Sequence, residues 1–154
     1  MPEIHELVKN LADQYGRTRE ALLPILEGIV LKESYLTDTA MVEVAKELDI
    51  SAADVYGTAT FFHYLETRPL GENIIRVCKT ITCDMKGKNQ IIRAIETTLK
   101  IKLGETTPDK KFSLLETNCL GWCHKGPVML INDTPYTELT PEKANEILDE
   151  YINK

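Results

Sequence analysis

The chain has 154 residues and a formal charge of −6, with 43% hydrophobic and 27% charged residues. That length predicts one domain or two small ones, and the composition excludes wholesale disorder, collagen and low-complexity architectures. The acidic balance excludes a basic nucleic-acid stripe and makes anionic membrane surfaces poor partners.

The first third reads as helices. Ile4, Leu7, Val8 and Leu11 recur at helical spacing, and Gly16 is placed to stop that helix. A second helix is expected over 20–34, with Leu22, Leu23, Leu26, Ile29 and Val30 as its apolar face. Pro24 is compatible with it, because a first-turn residue needs no amide donor. A third helix starts at Thr37 or Asp38 and carries Met41, Val42, Ala45 and Leu48. Ser51-Ala52-Ala53-Asp54 resembles a capping box with Asp in place of Glu. It opens a fourth helix through Val55, Tyr56, Ala59, Phe62 and Leu65. Four short amphipathic helices predict a small bundle.

The pattern changes at Arg68-Pro69-Leu70-Gly71, which we take as a domain boundary. Ile74 to Val77 is β-branched and reads as a strand. A helix is expected over 86–100, with Ile91, Ile92, Ile95 and Leu99 on one face. Phe112 to Leu115 and Val128 to Ile131 are further strands, and Asn132-Asp133-Thr134-Pro135 is turn chemistry. Tyr136 to Leu139 completes a hairpin, and Thr140-Pro141 starts a last helix with Ala144, Ile147, Leu148 and Tyr151 facing the core. The expected fold class is therefore α+β: a helical bundle over 1–70, then a compact α/β domain over 71–154.

No apolar run approaches the ~20 residues that span a bilayer. The start, Met1-Pro2-Glu3-Ile4-His5, lacks a basic stretch followed by an apolar one, so no signal peptide and no membrane insertion are expected. The expected compartment is the cytoplasm, where thiols stay reduced. The four cysteines then point to metal or redox chemistry before disulfides.

Those cysteines form two pairs. Four residues separate Cys78 from Cys83, three separate Cys119 from Cys123, and 35 lie between the pairs. Both pairs are expected in loops that follow strands. Neighbouring strand ends can bring four thiolates together, and four thiolates suit an iron–sulfur cluster or zinc. The spacings are wider than the two residues commonest in zinc ribbons. Gly87, Gly121 and Gly126 would let backbone come close to the bound group. On spacing alone, a redox cluster and a zinc-stapled structural adaptor both stand. A dithiol enzyme is disfavoured, because no C-x-x-C occurs.

The segment Cys78-Lys79-Thr80-Ile81-Thr82-Cys83-Asp84-Met85-Lys86-Gly87, with Asn118-Cys119-Leu120-Gly121-Trp122-Cys123-His124-Lys125-Gly126-Pro127, resembles the thioredoxin-like 2Fe–2S ferredoxin family. Within it, the chain is similar to the small iron–sulfur subunits of NADH:quinone oxidoreductase (complex I) and of NAD-linked or electron-bifurcating hydrogenases and some formate dehydrogenases. Asp54-Val55-Tyr56-Gly57-Thr58-Ala59-Thr60-Phe61-Phe62 resembles the last helix of the N-terminal region that such subunits carry. The resemblance implies a thioredoxin-like second domain and one 2Fe–2S cluster. It assigns Cys78 and Cys83 to one iron, and Cys119 and Cys123 to the other. It implies single-electron exchange with the flavin of an FMN- and NADH-binding partner subunit, alongside further iron–sulfur subunits. One departure is visible: the family often has Ala-Pro after the second pair, where this chain has Gly126-Pro127.

The chain has no G-x-G-x-x-G and no phosphate-binding loop, so NADH and flavin chemistry is expected to belong to a partner. No catalytic triad or Cys–His pair is evident, which fits a carrier with no active site of its own. Trp122 reads as loop packing or a lid over the site, and His124 as a neighbour of the site rather than a ligand. Lys79, Lys86, Lys88 and Lys125 are either solvated or charges that favour a reduced cluster. Tyr56, Phe61, Phe62 and Tyr64 are divided between core and a docking surface. His5 and His63 read as surface or packing residues, and Glu142, Glu146, Asp149 and Glu150 as a solvated helix face.

Overall fold

The computed structural model describes residues 2–153. The chain divides into two compact units, Met1–Pro69 and Leu70–Lys154. Among the described residues, no helix is long and apolar enough to cross a membrane.

The first unit is helical. Helix α1, Pro2–Tyr15, buries Leu7, Val8 and Ala12. It stops where Gly16 turns left-handed at φ 98°, its N–H bonded to the Ala12 carbonyl at 2.8 Å. A single 3-10 turn, Arg19–Ala21, leads into α2, Leu22–Glu33. Pro24 lies in its first turn, as its missing donor allows. Ile25, Leu26 and Ile29 are fully buried, whereas Leu23 and Val30 are only partly so. Helix α3, Asp38–Glu47, is capped by Thr37, whose Oγ1 accepts from the Ala40 N–H at 3.1 Å. Its buried stripe is Ala40, Met41, Val44 and Ala45; Val42 is exposed, against expectation, because it lies one position off that stripe.

Helix α4, Ala52–Phe61, is capped by Ser51. The Asp54 N–H donates to Ser51 Oγ at 3.1 Å, and the Ser51 hydroxyl donates to Asp54 Oδ2 at 2.8 Å. The helix ends earlier than its apolar pattern suggests, because Phe62 takes an extended conformation. Leu65 is still buried, but from the segment beyond the helix. The four helices enclose their own core, built around Val8, Ile25, Leu26, Ile29, Leu36, Val44 and Val55.

The second unit is a four-stranded sheet with helices. Its strands are β1, Asn73–Cys78; β2, Phe112–Thr117; β3, Met129–Ile131; and β4, Thr134–Tyr136. The spatial order is β2-β1-β3-β4. Strands β1 and β2 are parallel, with Cys78 opposite Thr117, while β3 is antiparallel to β1 and β4 to β3. The hairpin is tighter than expected. Asn132 turns at φ 52°, and Pro135 lies inside edge strand β4, where an absent donor costs no ladder bond. Leu139, expected in that strand, is buried beyond it.

The helix expected over 86–100 is α6, Lys88–Leu99, and a short helix that the sequence pattern did not indicate, α5, Ile81–Met85, precedes it. Gly87 separates them at φ 97°, a conformation that interrupts a right-handed helix and that glycine adopts without steric cost. The last helix is α7, Pro141–Ile152, capped by Thr140. Helices α6 and α7 pack together, and Ile91, Ile95, Ala144 and Leu148 share a core with Ile75, Val77, Leu114, Met129 and Ile131. The chain is thus α+β, with an N-terminal helical region followed by a sheet domain.

Gly71 enters that domain against the backbone of β2. A Cβ there would stand 2.8 Å from the Phe112 amide nitrogen and carbonyl carbon. Neither atom can move without breaking the β1–β2 ladder. Gly71→Ala is expected to cost roughly 1–3 kcal/mol, the range for overpacking. A lowered urea midpoint with an unchanged slope would show it, and an unchanged midpoint would refute it.

Candidate metal centre

Parallel pairing places the C-terminal ends of β1 and β2 side by side. The chain leaves both ends on the same side, and each exit carries one cysteine pair. The exits are tied together: the Lys79 N–H donates to the Thr117 carbonyl at 2.9 Å, and the Cys78 N–H to the Val128 carbonyl at 3.1 Å. The cysteines are not all in loops, as the sequence suggests. Cys78 is the last residue of β1, Cys83 lies within α5, Cys119 is in the loop after β2, and Cys123 opens a 3-10 turn, Cys123–Lys125.

All four cysteines are free thiols. They form two pairs of different exposure. Cys78 and Cys83 are buried at 1% each, Cys119 is exposed and Cys123 is half-buried. The Cys119 and Cys123 sulfurs are 3.2 Å apart. Among the described residues, no three His, Cys, Asp or Glu side chains converge as the ligands of one ion do.

The thiols sense one another. Burial pushes the Cys78 thiol up. Hydrogen bonds from the Thr80 hydroxyl and N–H, the Cys83 thiol and the Leu120 N–H outweigh it and hold the group below its ordinary value. Cys83 is raised by burial first, then by its bond to Cys78 and repulsion from the charge there. Cys123 is raised first by its bond to Cys119, then by burial, then by repulsion from Cys119, Cys78 and Cys83. Geometry links the two pairs through their flanking residues: a Cβ on Gly126, three residues after Cys123, would lie 3.2 Å from Cys83 Sγ.

The surroundings fit a polynuclear anionic group held by thiolates. The Gly121 N–H points at Cys119 Sγ at 3.4 Å. At Gly126 a Cβ would lie 3.2 Å from Cys83 Sγ and 3.4 Å from the Lys86 stem, so the missing side chain leaves room beside a buried sulfur. The other two glycines act differently. Gly87 only breaks the helix, and no atom lies within 4 Å of a Cβ built on Gly121. Four thiolates with backbone donors match the ligand chemistry of an iron–sulfur cluster.

The neighbouring lysines separate into distinct roles. Lys86 Nζ donates to the Cys123 carbonyl at 3.0 Å and the His124 carbonyl at 3.2 Å, strapping the second cysteine loop to the end of α5. Lys88 is not a solvated charge. It is buried at 9% exposure, and its Nζ pairs with Glu116 at 3.1 Å and lies 4.0 Å from Asp84. Lys79 and Lys125 are exposed. Trp122 and His124 are both at the surface.

Sequence reasoning missed the Thr80 hydroxyl, which lies 3.1 Å from Cys78 Sγ. The available signal was a hydroxyl residue two positions after a cysteine, a spacing that lets a side chain turn back on the preceding strand end.

In the first unit, Tyr56, Phe61, Phe62 and Tyr64 are all exposed, which removes them from the core. The Phe61 and Phe62 rings meet edge-on at 5.0 Å. His5 is a surface residue whose Nδ1 is 2.9 Å from Glu43 Oε2. His63, Glu142, Glu146, Asp149 and Glu150 are exposed.

Comparison with known proteins covers nearly the whole chain. The model of the thioredoxin-like [2Fe-2S] ferredoxin family matches residues 8–152. An NADH-quinone oxidoreductase subunit of Buchnera aphidicola is 39% identical over 144 residues, covering 94% of this chain and 89% of that protein. Its counterpart in Escherichia coli K12, of the same name, is 37% identical over 146 residues, covering 95% and 88%. An NAD+-reducing [NiFe]-hydrogenase has a chain of similar fold, with a TM-score of 0.76 at 22% identity over 89% of this chain. The match spans 24% of that hydrogenase chain. A paired-cysteine site at the ends of two parallel strands and a family match from residue 8 to residue 152 lead to one conclusion: the chain belongs to the thioredoxin-like [2Fe-2S] ferredoxin family.

Proposed function

We propose that this chain is an electron-carrying subunit in which Cys78 and Cys83 hold one iron of a single [2Fe–2S] cluster, and Cys119 and Cys123 hold the other. The observation that carries this reading is the placement of one cysteine pair at the exit of each of two adjacent parallel strands. Lys86 ties the second cysteine loop to the end of α5, and no disulfide engages any of the four thiols. When bound, such a cluster takes up and returns one electron at a time.

The chain's own residues supply the setting. Burial keeps water from the Cys78 and Cys83 sulfurs. The N–H groups of Leu120, Val128 and Gly121 face Cys78, Cys83 and Cys119 and offset negative charge there. Lys86 holds the two ligand loops in register. The exposed Cys119 edge leaves the site open toward another protein.

The electron partner in this reading is the flavin of an FMN- and NADH-binding subunit, within an assembly of the NADH:quinone oxidoreductase type or an NAD-linked hydrogenase, with further iron–sulfur subunits beyond. The NADH-quinone oxidoreductase relatives support it, since they match over nearly their full length. The chain has no nucleotide-binding glycine motif, so it acts as a carrier with no catalytic site of its own. The helical unit, with its exposed aromatic group, is the proposed docking element.

Anaerobic purification tests the centre. Two irons and two acid-labile sulfides per chain, a brown colour bleached by dithionite and an EPR signal in the reduced state are the expected results. One zinc per chain and no sulfide would establish the structural adaptor instead.

A further inference from the structure

Among the described residues, three helices begin with a hydroxyl residue that caps them. Thr37, Ser51 and Thr140 each accept an N–H from the first turn. Thr80 occupies the same position before α5, with the same extended backbone, φ −70° and ψ 155°, yet makes no cap bond. Its hydroxyl turns back to Cys78 Sγ at 3.1 Å.

We propose that Thr80 is a positioning residue that orients the Cys78 thiolate through its hydroxyl and raises the cluster's reduction potential. The proposal rests on Cys78 being a ligand, as argued above. A ligating thiolate has no proton, so the hydroxyl must be the donor. Charge-assisted hydrogen bonds are roughly twice as strong as neutral ones. This one lies at a cysteine only 1% exposed, where water does not compete. Reduction adds one electron, and part of that charge falls on the sulfurs. A donor at sulfur therefore stabilises the reduced form more than the oxidised form. The backbone donors at Cys78, from Thr80 and Leu120, cannot be removed by substitution; the Thr80 hydroxyl can.

Thr80→Val keeps the shape and removes only the hydroxyl, and no cap is lost because none is made. In the full-length chain with its cluster, Thr80→Val is expected to keep two irons and two sulfides and the wild-type EPR line shape. Its midpoint should fall, shifting the reduced-to-oxidised ratio by up to about tenfold, or 59 mV for one electron. Proton ENDOR of the reduced protein should lose one exchangeable coupling. Thr80→Ser should restore the midpoint and the coupling together. Thr80→Ala, with no demand on space, should reproduce the valine midpoint and serves if the valine chain assembles poorly. An unchanged midpoint in the valine or alanine variant would overturn the proposal, as would equal shifts in the serine and valine variants. A wild-type chain without iron or sulfide would instead overturn the cluster assignment itself.

Discussion

Cys83→Ser is expected to yield a folded but colourless protein, and Cys119→Ser a protein whose cluster is lost in air. Both replace a soft thiolate by a hydroxyl that binds iron as a hard oxygen and only when deprotonated. Residues that merely support a metal ligand typically cost ~10–100-fold in affinity when changed, so loss of a ligand should cost more. The difference between the variants follows from their sites. Cys83 is 1% exposed, so water and buffer thiols do not reach its position to replace it. Cys119 is exposed, so water or a buffer thiol can reach the vacated position and keep part of the centre alive under anaerobic conditions. Neither cysteine belongs to the apolar cluster that forms the core of either unit. Far-UV circular dichroism should therefore match the wild type in both. Iron and sulfide analysis with EPR checks the centre, and an unchanged EPR signal in Cys119→Ser would remove that residue from the ligand set.

Removal of residues 1–69 is expected to leave a cluster domain that folds and gives the wild-type EPR signal, while association with the NADH-binding partner is lost. The two units have separate apolar cores, one around Ile25, Ile29 and Val44, the other around Ile75, Leu114 and Leu148. All four cysteines, Thr80 and Lys86 lie in the second unit. Domains of this size are marginal but do fold alone. The first unit exposes Tyr56, Phe61, Phe62 and Tyr64 near the end of α4. Exposed aromatic side chains are the type that anchors protein interfaces. Co-purification of the truncated and full-length chains with an affinity-tagged partner measures the effect. Retention by the truncated chain would place the docking surface in the sheet domain.

The helical caps were readable because each is settled within four residues. Thr37, Ser51 and Thr140 announce their helices by residue type and position, and the structure shows each accepting the expected bond. The same local rule misleads at Thr80, which stands where a cap belongs but bonds to a thiol at the end of the preceding strand. The helix expected over 86–100 is present as α6, but the short α5 before it was not legible: it spans five residues and Gly87, at a positive φ, divides it from α6. Periodicity placed Val42 and Phe62 inward, but Val42 lies outside the stripe that α3 buries and Phe62 is extended beyond the end of α4.

Sequence alone determined the number and spacing of the cysteines, the helical first third, the first three strands and the change of pattern near Gly71, since these are carried by residue types at short spacing. Tertiary structure decided which sulfurs are shielded, that Lys88 is buried against Glu116, that Lys86 straps the second loop and that the aromatic group faces outward. Those outcomes depend on register. Cys78 stands opposite Thr117, 39 positions along the chain, and no periodicity within either strand specifies that alignment. Burial and electrostatics at the site are properties of that pairing, so they became visible only once β1 and β2 lay side by side.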